Sequence, residues 1–189
     1  MNKLFGVAVA GLLAIPAVAD AQGIGAEAAG IYATLSGDDF QGIDAGFGLD
    51  AQLRFNAAPR FSIGAGVQLT SHGNNVVSEN TRVTGFFAEP RLTFSMPASP
   101  LTPFLGARVG LARTSLSSGG TDVTSSGWLF GGTGGAMFRA GPMVNVVLAV
   151  VFASVSFGDF EVNGTSQPGT ETSGTSLALR GGVSIKLGR

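Results

Sequence analysis

The sequence predicts an all-β protein: an eight-stranded antiparallel up-and-down transmembrane β-barrel. Three observations carry that expectation. Apolar residues recur at every second position through most of the chain, the period of a strand with two unlike faces. The segments between these runs alternate, short with Pro or Gly turn chemistry, then longer and polar. And the chain is apolar without any run long enough for a membrane helix. Of 189 residues, 44% are hydrophobic, 12% charged and 30 are glycine. Yet the longest unbroken apolar run, Val146–Ala153, is eight residues, against the ~20 a spanning helix needs.

Composition excludes several classes. With no cysteine there is neither a disulfide framework nor thiolate chemistry. A formal net charge of −1 lacks the positive surplus that a phosphate backbone requires, so no nucleic-acid partner is expected. Residues 1–21 read as a secretory signal peptide: Lys3, the apolar stretch Leu4 to Ile15, then the small-x-small sites Ala17-Val18-Ala19 and Ala19-Asp20-Ala21. Residues 22–189 are expected to form the barrel domain.

The first strand, about Ile24–Leu35, has small residues on both parities. The second is the clearest. From Ile43 to Phe55 the odd positions are Ile43, Ala45, Phe47, Leu49, Ala51, Leu53 and Phe55; the even ones are Asp44, Gly46, Gly48, Asp50, Gln52 and Arg54. The third sets Phe61, Ile63, Ala65, Val67 and Leu69 against Ser62, Gly64, Gly66, Gln68 and Thr70. The fourth sets Phe86, Ala88, Leu92, Phe94 and Met96 against Phe87, Glu89, Arg91, Thr93 and Ser95, with Pro90 suggesting a bulge. The fifth alternates Leu105, Ala107, Val109 and Leu111 with Gly106, Arg108, Gly110 and Ala112. The sixth shares Trp128, Phe130, Ala136 and Phe138 on one face opposite Thr133, Gly135 and Arg139. The seventh, Val144–Phe157, is apolar on both parities. The eighth alternates Leu177, Leu179, Val183, Ile185 and Leu187 with Ser176, Arg180, Ser184 and Lys186. Connections 56–60, 97–103 and 139–142 are the short turns. Connections 37–42, 71–81, 115–126 and 158–175 are the polar loops.

Volume decides which face points inward. An eight-stranded cylinder is just filled by side chains. The faces rich in glycine, with a few charged residues, fit that lumen, and the bulky apolar faces are left for lipid. Asp44, Asp50, Arg54, Glu89, Arg91, Arg108, Arg139, Arg180 and Lys186 are then expected to point inward. Such groups are tolerable only if paired. Strand order places Glu89 beside Arg108 with Arg91 close by, and Asp50 and Arg180 near mid-height. A carboxylate–guanidinium network that plugs the barrel is expected; a gate for small ions is the other reading. Aromatic belts at the two membrane interfaces are expected from Phe55, Phe61, Phe94, Phe104 and Phe138 beside the short turns. Tyr32, Phe40, Phe86, Trp128, Phe130 and Phe157 would form the belt toward the loops.

The stretch Phe104-Leu-Gly-Ala-Arg-Val-Gly-Leu-Ala112 and the closing Leu179-Arg-Gly-Gly-Val-Ser-Ile-Lys-Leu187 resemble strands of the small outer-membrane β-barrel (porin-like, OmpA/OmpX-type) superfamily. The resemblance implies a bacterial outer-membrane protein, exported through the Sec pathway, with both termini in the periplasm. It also implies outer-membrane lipid, lipopolysaccharide and the barrel-insertion machinery as partners. A monomer is expected, presenting polar loops for envelope structure or surface interaction, with a small passive pore as the alternative and, behind it, a soluble periplasmic barrel binding an apolar ligand or a lipid A-modifying enzyme. The chain departs from the family's usual terminal aromatic in ending Leu187-Gly188-Arg189.

Little in the sequence speaks for catalysis, a cofactor or a metal. His72 is the only histidine. It is expected at the loop end of the third strand, exposed and inert, with Ser71, Ser78 and Glu79 near it in sequence. Lipid-modifying enzymes that resemble this fold use histidine, serine and a carboxylate, which makes His72 the one catalytic candidate to follow.

Overall fold

The computed structural model describes residues 23–75, 80–96, 99–118 and 120–187. The expected signal peptide, 1–21, lies outside the described residues. Seven strands follow one another along the chain: β1 (Ile24–Ser36), β2 (Ile43–Ala58), β3 (Phe61–Asn74), β4 (Thr81–Thr93), β5 (Leu101–Ser118), β6 (Thr121–Arg139) and β7 (Val144–Phe157). A small hairpin of β8 (Phe160–Val162) and β9 (Thr165–Gln167) precedes the last strand, β10 (Thr172–Lys186). Each barrel strand pairs antiparallel with its neighbours in the order β1 to β7 and then β10, and β10 returns to β1. The sheet therefore closes and leaves no backbone edge unpaired around its waist, which hydrocarbon surroundings require.

Turn chemistry sets the short end. Pro59 and Arg60 alone separate β2 from β3, and the Thr93 amide donates to the Arg60 carbonyl across the turn, 2.9 Å. At the other end two of the four expected loops prove to be strand. β5 and β6 stay paired out to Ser118 opposite Thr121, so most of 115–126 is a continuing hairpin. Segment 158–175 contains the β8–β9 hairpin, laid against the tip of β6 through Val123–Val162 and Thr124–Glu161 pairs, and β10 begins within it at Thr172. These segments are rich in Ser and Thr and wet on both faces, so they form ladders without the apolar alternation that marks a strand in sequence.

Two local expectations fail. Pro90 introduces no bulge. The β4–β5 register runs unchanged from Ala88–Val109 to Arg91–Gly106, because proline's missing donor is tolerated within an otherwise continuous ladder. The unbroken alternation from Ile43 fails instead. Ile43 pairs with Asn74 but Gly46 with His72, so β2 carries an extra residue there. The bulge turns Ile43 inward, against the cluster of Phe40, Ala112, Val155 and Phe157.

The faces are inverted relative to a soluble barrel. Leu49 is 67% exposed, Leu148 64% and Phe86 63%, while Arg108 and Glu89 are 0% exposed. Val109 and Ile185 also face outward. Inside, apolar layers flank a charged middle. Phe104, Val147 and Ala149 lie toward the short turns, and Phe40, Val155 and Phe157 toward the loops. β7 supplies much of this lining, with Val147, Ala149, Val151, Ala153 and Val155 buried at alternate positions. That settles the facing of a strand apolar on both parities.

Candidate functional site: the charged lumen

Strand pleat places one charged side chain after another on the inner wall, and antiparallel register brings them to one level. Glu89 on β4 is the hub. Its Oε1 accepts from Arg54 Nη2 at 2.9 Å and Arg91 Nη2 at 2.7 Å. Its Oε2 accepts from Arg108 Nη2 at 2.7 Å, Arg108 Nε at 3.0 Å and Thr133 Oγ1 at 3.1 Å. Asp50 on β2 takes Arg180 Nη2 at 2.6 Å and Arg108 Nη1 at 3.2 Å. Glu27 on β1 takes Arg180 Nη2 at 2.8 Å, Arg91 Nη1 at 3.1 Å and Gln52 Nε2 at 2.7 Å. Gln68 on β3 accepts from Arg108 Nη1, 3.1 Å.

Two guanidinium planes also lie over rings, Arg91 over Phe104 and Arg108 over Phe87, each 3.8 Å from the centroid. Planar, weakly hydrated arginine suits such a site better than lysine. Glycines make the room. A Cβ at Gly64 would stand 2.9 Å from Arg54 Nη2, and one at Gly135 would stand 2.7 Å from the Phe104 ring.

Six of the nine charged residues expected in the lumen thus meet there: Asp50, Arg54, Glu89, Arg91, Arg108 and Arg180. Asp44, Arg139 and Lys186 do not. The β2 bulge carries Asp44 to the loop rim, where it is exposed and accepts from Asn75 Nδ2, 3.0 Å. Arg139 ends β6 and is exposed beside the turn, and Lys186 is likewise exposed at the mouth. Glu27 was not foreseen. Alanine and glycine on both parities of β1 hid its facing, although a carboxylate inside a barrel strand is itself a signal.

The cluster holds four guanidinium groups, Arg54, Arg91, Arg108 and Arg180, against three carboxylates, Glu27, Asp50 and Glu89. Arg54 Nε and Arg180 Nε and Nη1 are buried without an acceptor among the described residues. On the short-turn side the cluster faces an opening of about 890 Å³ lined by Asn56, Phe61, Ser62, Met137 and Lys186. On the loop side a space of about 210 Å³ is lined by Phe40, Ile43, Phe157 and Phe160. The two share no lining residue, and the ion cluster stands between them.

Of the belt residues, Phe94 and Phe138 face outward near the short turns, and Tyr32, Phe86, Trp128 and Phe130 near the loops. Phe55 and Phe61 are half-buried beside the Pro59-Arg60 turn. Phe47 joins the upper belt, its ring 5.0 Å from Tyr32. Phe40, Phe104 and Phe157 are instead inside the barrel. Phe104 shares the parity of Gly106 and Arg108, which outweighs its position near a turn.

His72 is buried rather than exposed. Its Nδ1–H donates to the Asp44 carbonyl, 3.1 Å, and in the neutral ring Nε2 accepts from the Thr70 hydroxyl, 3.0 Å. Ser71 points to the other face and is exposed, and Ser78 and Glu79 lie outside the described residues. Among the described residues no group of three or more His, Cys, Asp or Glu could hold a metal ion.

By sequence, neither a family model nor a curated protein matches the chain. By structure it is similar to Neisserial surface protein A (NspA), with TM-score 0.63 and 24% identity over 90% of this chain and 100% of that one. It also aligns with Ail, the attachment invasion locus protein of Yersinia pestis, at TM-score 0.47 and 13% identity over 86% of this chain and 97% of that one. The outer membrane protein OprG from Pseudomonas aeruginosa aligns at TM-score 0.48 and 12% identity, over 89% and 94%. With its closed up-and-down order, outward apolar wall and ionic interior, the chain has the fold of an eight-stranded outer-membrane β-barrel, as Neisserial surface protein A does.

Proposed function

We propose that this protein is a non-enzymatic barrel of the bacterial outer membrane, anchored as a monomer by its eight strands, with a sealed lumen and polar structures presented outside. Export through the Sec pathway, insertion by the barrel-assembly machinery, periplasmic termini and contact with outer-membrane lipid and lipopolysaccharide belong to this reading. The observation that carries it is the inversion: leucine, valine and phenylalanine cover the outer wall while seven ionised side chains fill the middle. In water that wall is an exposed apolar surface far beyond what a monomer tolerates; in lipid it is the favoured arrangement.

Fractionation with detergent extraction tests the location. The protein should sediment with outer membranes, require detergent for release and migrate faster on gels before boiling than after. Trp128, the single tryptophan, faces outward, so brominated acyl chains should quench its fluorescence. Recovery in the soluble periplasmic fraction, with Trp128 insensitive to brominated lipid, would refute the proposal.

A passive pore is the second reading, favoured by the wide mouth on the short-turn side and the surplus guanidinium. Planar bilayers separate the two. The sealed barrel passes no steady current, and Glu89→Ala opens one only if the cluster is what blocks it. His72 supports the non-enzymatic reading because both ring nitrogens are engaged inside the wall. His72→Ala should leave the lipid A profile of the membrane unchanged.

A further inference from the structure

We propose that Arg82 and Arg113 form a binding site on the outer wall of the barrel for the phosphate of an outer-leaflet lipid headgroup; this deepens the outer-membrane reading above and rests on it. The described cations fall into three sets. Four arginines make the lumen cluster. Arg60, Arg139 and Lys186 ring the short-turn end. Arg82 and Arg113 are the remaining two, and they sit together.

Both face outward. On β4 the inward positions are Thr81, Val83, Gly85 and Phe87, and Arg82, Thr84 and Phe86 take the other face; on β5, Ala112 is buried inside and Arg113 is exposed. The register pairs Arg82 with Ser115 and Arg113 with Thr84. The two arginines are therefore diagonal neighbours on adjacent strands, about 7–8 Å apart at that spacing, a gap one phosphate can bridge with two forked donors.

Their height identifies the occupant. Phe86 pairs with Leu111, and Leu111 with Trp128. This row is on the lipid side, Phe86 and Trp128 being 63% and 67% exposed. Arg113 is two residues beyond Leu111 toward the loops and Arg82 four beyond Phe86, at the level where acyl chains give way to headgroups. Neither guanidinium has a hydrogen bond or ion pair among the described residues. Among the described residues the acids of this wall stand apart from the pair: Asp122 is opposite Ser117, four residues past Arg113, and Glu161, level with Arg82 in the row Arg82–Ser115–Thr124–Glu161, is three strands away on β8. A cationic fork with no partner among the described residues, just above a hydrocarbon-facing aromatic row, complements an anionic lipid rather than a soluble acidic partner.

The test is native mass spectrometry of the purified barrel in detergent, titrated with diphosphoryl lipid A and with the same lipid dephosphorylated. Wild type should retain the phosphorylated form at least tenfold better. The double variant Arg82→Gln/Arg113→Gln should lose that preference, and Arg60→Gln/Arg139→Gln, at the opposite rim, should keep it. Both variants change exposed side chains, and heat-modifiable mobility verifies that they fold. Equal retention by wild type and Arg82→Gln/Arg113→Gln, or no preference for phosphate in wild type, overturns the site, including the outcome in which these arginines serve a protein partner. Absence of the wild type from the outer-membrane fraction is a separate result, and it overturns the reading beneath.

Discussion

The lumen cluster makes a graded prediction about which arginine matters. Arg54 and Arg108 both donate to Glu89 and both are buried. Replacing either with methionine leaves three guanidinium groups facing three carboxylates, so net charge does not distinguish the variants. The acceptors left behind do. Without Arg54, Glu89 Oε1 keeps Arg91 Nη2 at 2.7 Å, and the acceptors that lose their donor are the neutral Gln52 Oε1 and Ser62 Oγ, a loss of about 1–3 kcal/mol. Without Arg108, Glu89 Oε2 keeps only the Thr133 hydroxyl and a distant Arg180 Nη1 at 3.8 Å, and Asp50 Oδ2 is stripped. That is the situation in which breaking a buried pair costs about 3–5 kcal/mol. Glu89→Gln is worse than either, since four guanidinium groups would then face two carboxylates, and it should reach or exceed the upper end of that range. The assay is urea unfolding in lipid vesicles, followed by Trp128 fluorescence and by heat-modifiable mobility. Arg54→Met as damaging as Arg108→Met, or Glu89→Gln within about 1 kcal/mol of wild type, a margin far below a broken buried pair, would refute the reasoning.

Other expectations rest on different contacts. Phe104→Ala removes a buried ring from beneath Arg91 and from beside Val147 and Ala149; it should cost about 3–5 kcal/mol, while Phe94→Ala, outward on the same end of the barrel, should cost under about 1. Asp50→Asn should lower the urea midpoint clearly and Asp44→Asn hardly at all, because one carboxylate holds two arginines and the other is at the rim. Gly135→Val forces a side chain against Phe104 and Ala149 and should destabilise by about 1–3 kcal/mol, read from the same unfolding curves. Removing residues 160–167 should leave the heat-modifiable barrel intact, since among the barrel strands β8 pairs only with the tip of β6; loss of the fast-migrating form would show that the hairpin supports the cylinder.

Legibility followed contrast between faces. β2, β3, β5 and β10 set large apolar residues against glycine and charge, so parity alone put Arg108 in and Leu49, Val109 and Ile185 out. Where the contrast vanished, so did the reading. Alanine and glycine on both faces of β1 concealed Glu27; valine on both faces of β7 concealed the apolar half of the lumen. A single extra residue in β2 moved Asp44 from the interior to the rim, and no local composition marks that bulge. Phe104 and His72 stand near strand ends yet are buried, because parity and not height sets which way a strand residue points. The outer hairpins were invisible for a solvent reason: a ladder wetted on both sides has no apolar face to reveal it.

The pairing of the first strand with the last has a temporal consequence. β1 meets β10 along twelve residues, and Glu27 clasps Arg180 across 153 positions of sequence. Neither the seam nor that clasp can exist until the ribosome has delivered the whole polypeptide. Completion of the cylinder is therefore a late, strongly non-local event of the kind that folds slowly, and the ion cluster is a latch that engages only when the ends come together. Until then the same arginines and carboxylates are loose charges on an open, half-wetted sheet, which is reason enough for such a chain to need an escort on its way to the bilayer.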